Sequence, residues 1–116
     1  MPLLKIVTNV QPTPAVRSRL LSDLSKLVAT RLGKPESYVM TCFDGQAAMT
    51  FGGSSESTCL VELKSVGRFT SDVTRSLSVE LCEFIESALA IPKARVYIEF
   101  ADVAGHLWGH SAGNFG

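Results

Sequence analysis

Pro2 and Lys34 are the residues of this chain whose types and settings best suit acid–base chemistry. Pro2 opens directly into the apolar run Leu3-Leu4-Lys5-Ile6-Val7, and its small size permits removal of the initiator methionine. A secondary amine would then begin the chain. An amine that is desolvated, or close to another cation, binds its proton less tightly and can serve as a base near neutral pH. The same proline equally suits the first position of a strand, where no ladder N–H is needed. Lys34 sits in the corner Gly33-Lys34-Pro35. It reads either as a lysine complementing a helix C-terminus or as a cation held over a pocket to grip a carboxylate and depress a neighbouring amine. Other groupings carry less. His106 and His110 are four apart, but Gly105 and Gly109 disfavour a helix and no glutamate accompanies them, so no metal site is expected. Gly52-Gly53-Ser54-Ser55 lacks the Gly-Lys-Ser/Thr ending of a phosphate loop and reads as a turn, and no serine has hydrolase-triad partners.

The chain has 116 residues, 46% hydrophobic and 19% charged, which suits one globular domain over residues 1–116 burying about two thirds of its unfolded surface. Eleven basic residues balance eleven acidic ones without a cationic block, which argues against nucleic acid as a partner. Apolar stretches are short and interrupted by charge, so neither a secretory leader nor a membrane span is expected, and the default compartment is the cytosol. Cys42, Cys59 and Cys82 are odd in number, well separated and flanked by apolar residues, which suits reduced, buried thiols rather than a disulfide framework or a metal site.

The elements that must position these groups are written twice. Leu32, Pro35, Val39 and Phe43 align at one shift with Leu89, Pro92, Val96 and Phe100, and the same shift lays Leu4-Lys5-Ile6 on Val61-Glu62-Leu63. Thr13 is the expected cap of a helix with Pro14 first, carrying Val16, Leu20, Leu24, Leu27 and Val28 until Gly33 stops it. A second helix is expected from about Ser71 to Ala90, with Val73, Leu77, Leu81, Phe84, Ile85 and Leu89 on one stripe. Strand-like runs cover Tyr38 to Phe43, Ala47 to Phe51 and Cys59 to Val66, with turns at Asp44-Gly45 and Gly52–Ser55. The expected fold is α+β: two pseudo-repeated β-α-β units, two helices on a four-stranded mixed sheet. Strand residues of both parities are apolar, which predicts that the sheet face away from the helices is covered by self-association.

Pro2 behind Met1, Gly33-Lys34-Pro35, Ser37-Tyr38-Val39-Met40, Phe51-Gly52-Gly53-Ser54-Ser55-Glu56, Ser65-Val66-Gly67, Arg95-Val96-Tyr97-Ile98 and Gly113-Asn114-Phe115 follow in one order. Together they resemble the macrophage migration inhibitory factor family of the tautomerase superfamily over nearly the whole chain, with about one extra residue between Gln11 and Arg19. The resemblance implies a homotrimer with active sites between subunits. It implies Pro2 as general base for keto–enol transfer in a small aromatic 2-keto acid, phenylpyruvate-like or dopachrome-like, with Lys34 holding the carboxylate or enolate oxygen. Leu3, Pro35, Tyr38, Ser65 and the backbone of Val66 would join from one subunit and Tyr97 from the next, with Trp108 and Phe115 as an aromatic wall. No metal or cofactor is implied.

Departures from the family pattern matter too. Lys64 stands where animal members carry histidine, and Glu99 where they carry asparagine. A carboxylate about 6 Å from the proline nitrogen would favour the protonated amine by about 2–3 kcal/mol at an effective dielectric near 20. The positions of the animal Cys-x-x-Cys are Thr58 and Val61, so thiol–disulfide chemistry is not implied. His110 replaces a tryptophan and Trp108 an aliphatic residue, which predicts a differently shaped pocket. A second reading of the resemblance is a cytokine-like ligand of a cell-surface receptor, secreted without a signal peptide. The surface charge of the Gln11 to Arg17 and Gly45-Gln46 loops does not clearly match it. A third is hydration or dehalogenation of unsaturated acids, for which matching arginines are not evident.

Overall fold

Thr13 and Thr70 open the two helices in the same way. Each is extended, and its hydroxyl accepts at 3.2 Å from the backbone N–H three residues on, Val16 in one case and Val73 in the other. One of the donors that a helix start leaves free is thereby satisfied, and Pro14 suits its position because it has no N–H to leave unbonded. The computed structural model describes residues 1–116. In it α1 spans Pro14–Leu32 and α2 spans Ser71–Leu89, 19 residues each. Strands β1 (Leu3–Thr8), β2 (Met40–Asp44), β3 (Cys59–Ser65) and β4 (Val96–Asp102) form one sheet in the order β2-β1-β3-β4. A hairpin of β5 (Gly109–His110) and β6 (Gly113–Asn114) follows. This is the α+β architecture expected, two helices on a four-stranded mixed sheet.

The internal repeat governs the register. Leu32 and Leu89 are 57 positions apart, and the same interval carries α1 onto α2 and the short turn Glu36–Tyr38 onto Lys93–Arg95. It also carries the parallel pair Leu3 and Met40 onto the parallel pair Leu60 and Tyr97. The halves meet in the antiparallel β1–β3 pair, where Leu4 faces Leu63 and Ile6 faces Val61. These four side chains are fully buried under Leu20, Leu24 and Val28 of α1 and Leu77, Leu81 and Ile85 of α2. The helical and two-residue periods of the sequence therefore converge on one layer between helices and sheet.

The opposite sheet face is mixed rather than apolar. Its cross-strand rows are Met40-Leu3-Lys64-Ala101, Cys42-Lys5-Glu62-Glu99 and Asp44-Val7-Leu60-Tyr97. Met40 and Tyr97 are 65% and 66% exposed. Lys64 and Glu62 lie 3.9 Å apart across the surface of β3. The middle row is dominated by charge, and each outer row is apolar but for one charged residue, Lys64 or Asp44.

One expected strand is absent. Residues 47–51 form no ladder; only an isolated bridge joins Phe51 to Ser54. The reason lies in where the backbone of this stretch finds its bonds. Ala47 N–H donates to Thr8 at the end of β1. The guanidinium of Arg95 donates to the carbonyls of Phe51, Ser54, Glu56 and Ser57 at 2.8–3.1 Å, and it sits 5.3 Å from the Phe51 ring centroid. Asn9 adds bonds to Ser55 and Glu56. Side chains thus satisfy groups that a neighbouring strand would otherwise have to pair. Two boundaries also shift: Tyr38 belongs to a turn before β2, its N–H bonded to Pro35 O, and β4 continues to Asp102 by pairing with Ser65.

The helices end in the same left-handed conformation with different residues. Gly33 has φ 61° and Ala90 has φ 57°. A Cβ at Gly33 would meet nothing within 4 Å, so its cost would be conformational alone. Gly33→Ala is expected to lower stability by about 1 kcal/mol, and Ala90→Gly to raise it by roughly 0.5–1 kcal/mol. Thermal or denaturant unfolding of the two variants at matched protein concentration checks the opposite signs.

Candidate active site

The end of α1 aims Lys34. Lys34 N–H bonds to Ala29 O at 3.0 Å and Gly33 N–H to Thr30 O at 3.3 Å, the paired bonds that close a helix through a left-handed residue. Pro35 then stiffens the exit and its carbonyl accepts from Tyr38 N–H at 3.1 Å, so the turn that begins beside Lys34 delivers the Tyr38 ring. The Lys34 ammonium donates to Val66 O at 2.9 Å. Burial pulls its pKa below the usual lysine range, and the charge of Arg68 adds to this, while the Asp102 carboxylate acts against both. Asp102 also accepts from Gly67 N–H at 2.8 Å, holding the backbone just after Val66.

The chain start is tied down from two sides. Pro2 is buried; its carbonyl accepts from Met40 N–H at 2.9 Å, and continuing the β1–β3 register sets it opposite Ser65. Ser65 is fully buried, its carbonyl accepts from Val103 N–H, and its hydroxyl has no hydrogen-bond partner. The Met1 amine donates to Tyr38 O at 2.8 Å. Burial lowers the pKa of that amine, and the Lys34 ammonium lowers it further.

Pro2, Leu3, Tyr38, Trp108 and Phe115, five of the residues singled out in the sequence, line one cavity of about 510 Å3. Lys34, Pro35, Ser65 and Val66 belong to the adjoining framework through the bonds just described. The C-terminal segment closes the wall. Phe115 N–H donates to Gly105 O at 3.1 Å, and a Cβ on Gly105 would come within 2.5 Å of Phe115 O, so this close approach requires glycine. Tyr38, His110 and Phe115 then pack as three rings with centroids 5.5–6.1 Å apart.

Three residues of the expected set stand elsewhere in the protomer. Lys64 lies across from Leu3 on the far sheet face. Tyr97 and Glu99 are exposed on that face of β4, with the Tyr97 ring 4.8 Å from that of Phe51. Glu99 is three residues along and two strands across from Pro2, roughly 14 Å at ordinary sheet spacings. Within one protomer it is therefore too distant for the coupling considered at 6 Å. The structure also adds residues to the cavity that the sequence reading did not include, namely Met1, Ser37, Val39, Met40, Leu107, Gly109 and His110. His110 had a signal, since its departure from the family pattern already marked a change of pocket shape.

The remaining features lie outside this cavity. A groove of about 670 Å3 between α1 and α2 is bordered by Val16, Arg19, Asp23, Glu83 and Phe84 and contains none of the expected site residues. Of the three cysteines expected to be buried, only Cys59 is; burial pushes its thiol up to about 12 and raises that of half-buried Cys82, whereas Cys42 is exposed because its position in β2 faces away from the helices. No three His, Cys, Asp or Glu residues gather closely enough to hold a metal ion. No helix is long and apolar enough to cross a membrane.

Known proteins place this arrangement in a family. Residues 1–115 match the family pattern described as Macrophage migration inhibitory factor (MIF). A macrophage migration inhibitory factor homolog from Brugia malayi is 39% identical over 116 residues, spanning the whole of both chains. One from Trichuris trichiura is 36% identical over 115 residues, covering 99% of this chain and all of the other. Among solved structures, a macrophage migration inhibitory factor homologue from Prochlorococcus marinus superposes with a TM-score of 0.93 at 43% identity, covering 98% of this chain and 99% of that one. Sequence and fold agree along the full length, from the buried Pro2 to the Phe115 wall, and the chain belongs to the macrophage migration inhibitory factor family of the tautomerase superfamily.

Proposed function

We propose that this protein is a keto–enol tautomerase of small aromatic 2-keto acids, phenylpyruvate-like or dopachrome-like, and that the amine of Pro2, freed by loss of Met1, is its general base. The observation that carries this reading is the setting of the chain start. Pro2 is buried against an aromatic-walled cavity, and the amine one residue before it already has its pKa lowered by burial and by Lys34. Both influences favour a neutral amine and act in the same sense one residue further in. With Met1 retained, the Pro2 nitrogen is a tertiary amide without basicity, and Met1 forms part of the cavity lining.

The chemistry follows from these groups. In enolisation the Pro2 nitrogen takes a proton from the carbon next to the ketone, and the C–H electron pair forms the carbon–carbon double bond. The ketone electrons move onto oxygen, and the protonated Pro2 amine returns the proton to that oxygen, giving the enol and the free base. Lys34, with its ammonium at Val66 O, is suited to hold the carboxylate or the enolate oxygen, so that charge develops beside a cation. Leu3, Trp108 and Phe115 supply an apolar slot for the ring.

The reading includes a homotrimer with its sites at subunit interfaces. Exposed Tyr97 and Met40, with Leu3, Val7 and Leu60 beside them on the far sheet face, support association. A neighbouring copy would bring Tyr97 and Glu99 to a cavity they do not reach within their own chain. Lys64, beside Leu3, is suited to the same border.

Phenylpyruvate ketonisation and enolisation, followed by ultraviolet absorbance on protein shown by mass spectrometry to lack Met1, test the base. Pro2→Gly is expected to reduce kcat/KM about 100-fold or more, as loss of a positioned base does. Comparable activity in the variant and the parent protein would remove Pro2 from the mechanism. The pH profile tests the electrostatics, since the rate rises with pH as the amine loses its proton. Lys34→Gln removes a charge that disfavours the protonated amine, so the acid limb should move to higher pH. Glu99→Gln should move it to lower pH if a neighbour's carboxylate faces the amine; an unmoved limb would separate Glu99 from the base. Sedimentation equilibrium is expected to return the mass of three chains, and a monomer would leave Tyr97 and Glu99 outside the site.

A further inference from the structure

The peptide unit between Val66 and Gly67 lies just past the end of β3, where neither neighbouring strand pairs with it. Both of its polar groups are engaged, and by side chains alone. The carbonyl accepts from the Lys34 ammonium at 2.9 Å, and the N–H donates to Asp102 Oδ1 at 2.8 Å. Because a peptide is planar and its C=O and N–H point in opposite directions, one carboxylate fixes the direction of the oxygen that Lys34 meets. That direction is otherwise weakly held. Gly67 and Arg68 follow with φ 73° and 79°, and glycine takes positive and negative φ with similar ease, so this peptide can rotate against little steric resistance. Turned over, it would aim its N–H toward Lys34 and its carbonyl away. Asp102 has a firmer seat, since it ends β4 opposite Ser65, whose carbonyl accepts from Val103 N–H at 2.8 Å.

We propose that Asp102 is a positioning residue that holds the Val66–Gly67 peptide so that its carbonyl keeps the Lys34 ammonium in place beside the cavity. This inference rests on the tautomerase reading, in which Lys34 binds the carboxylate or enolate oxygen of the substrate. Asp102 does not line the cavity, and it acts through the peptide. A charged acceptor on the N–H also polarises the amide, which makes the opposite carbonyl a stronger partner for the ammonium. The carboxylate has a second effect on the same lysine, since it opposes burial and Arg68 and so helps Lys34 to stay charged. Charged groups reach Lys34 from three places: Arg68 after β3, Asp102 at the end of β4 and the terminal amine before β1.

The test measures kcat/KM for phenylpyruvate near neutral pH in the Met1-free protein, in Asp102→Ala and in Asp102→Asn, each with Lys34 present and with Lys34→Gln. Asp102→Ala is expected to lose about 5- to 20-fold, the effect of one charge-assisted bond that orients a binding group. Asp102→Asn still offers an acceptor oxygen to Gly67 N–H and should stay within about 3-fold of the parent. In the Lys34→Gln background Asp102→Ala should cost less than about 2-fold, because the group it positions is gone. An unchanged rate in Asp102→Ala, an equal loss with and without Lys34, or an Asp102→Asn as impaired as Asp102→Ala would each overturn the assignment. Asp102→Val, a better strand former without an acceptor, takes the place of Asp102→Ala if that variant does not fold. If the parent protein does not turn over phenylpyruvate, the tautomerase reading fails separately, and nuclear magnetic resonance decides the role of Asp102. Faster exchange of the Gly67 amide in Asp102→Ala, together with a Lys34 ammonium that titrates at lower pH in Asp102→Asn, upholds it; parent-like behaviour in either measurement overturns it.

Discussion

The antiparallel pairing of β1 with β3 is the constraint on which the rest depends. It joins the two halves about a pseudo-twofold relation, with Leu4 against Leu63 and Ile6 against Val61, and it decides which parity of each strand faces the helices. A slip of one residue would turn Leu4, Ile6, Val61 and Leu63 away from the core and bring Lys5 and Glu62 beneath Leu24 and Leu81. The same register places buried Pro2 opposite buried Ser65 at the edge of that core. Packing and the location of the proposed base therefore have one cause.

Symmetry also shows where chemistry departs from architecture. The position related to Pro2 by the repeat is Cys59, and the one related to Lys34 is Ile91, both buried and apolar in character. Tyr38 corresponds to Arg95, and the two occupy equivalent turns before β2 and β4. Arg95 binds the segment that follows β2 through four backbone carbonyls, whereas Tyr38 packs with His110 and Phe115 of the segment that follows β4. Each half thus uses its corner to hold the tail of the other. In one case a hydrogen-bond clamp results, and in the other an aromatic wall around a cavity.

Electrostatics reinforces that asymmetry. Lys34 cannot relax freely into water, because the helix-closing bonds and Pro35 fix its backbone and Val66 O engages its ammonium. Its charge is partly desolvated yet remains within reach of the chain-terminal amine. A cation in such a place disfavours a second positive charge and favours an anion, and these are the two requirements of a neutral amine base working on a carboxylate substrate.

Both helices, their threonine caps, the left-handed stop at Gly33, the repeated β-α-β order and the principal strands were legible in the sequence, because each depends on neighbours within a few residues or on a period of the chain itself. Family membership was legible for a similar reason, since it rests on ordered short words. The strand expected at Ala47 to Phe51 was not, because its ends are engaged by distant groups: Ala47 N–H donates to Thr8 and Arg95, more than forty positions away, binds the carbonyl of Phe51 and those of the turn that follows it. Nor could sequence alone set His110 beside Tyr38, or place Glu99 on the far sheet face from Pro2 within the protomer. Those relations were decided by tertiary structure, because cavity walls and charge distances follow from how separate elements are brought together, whereas the elements themselves follow from local spacing.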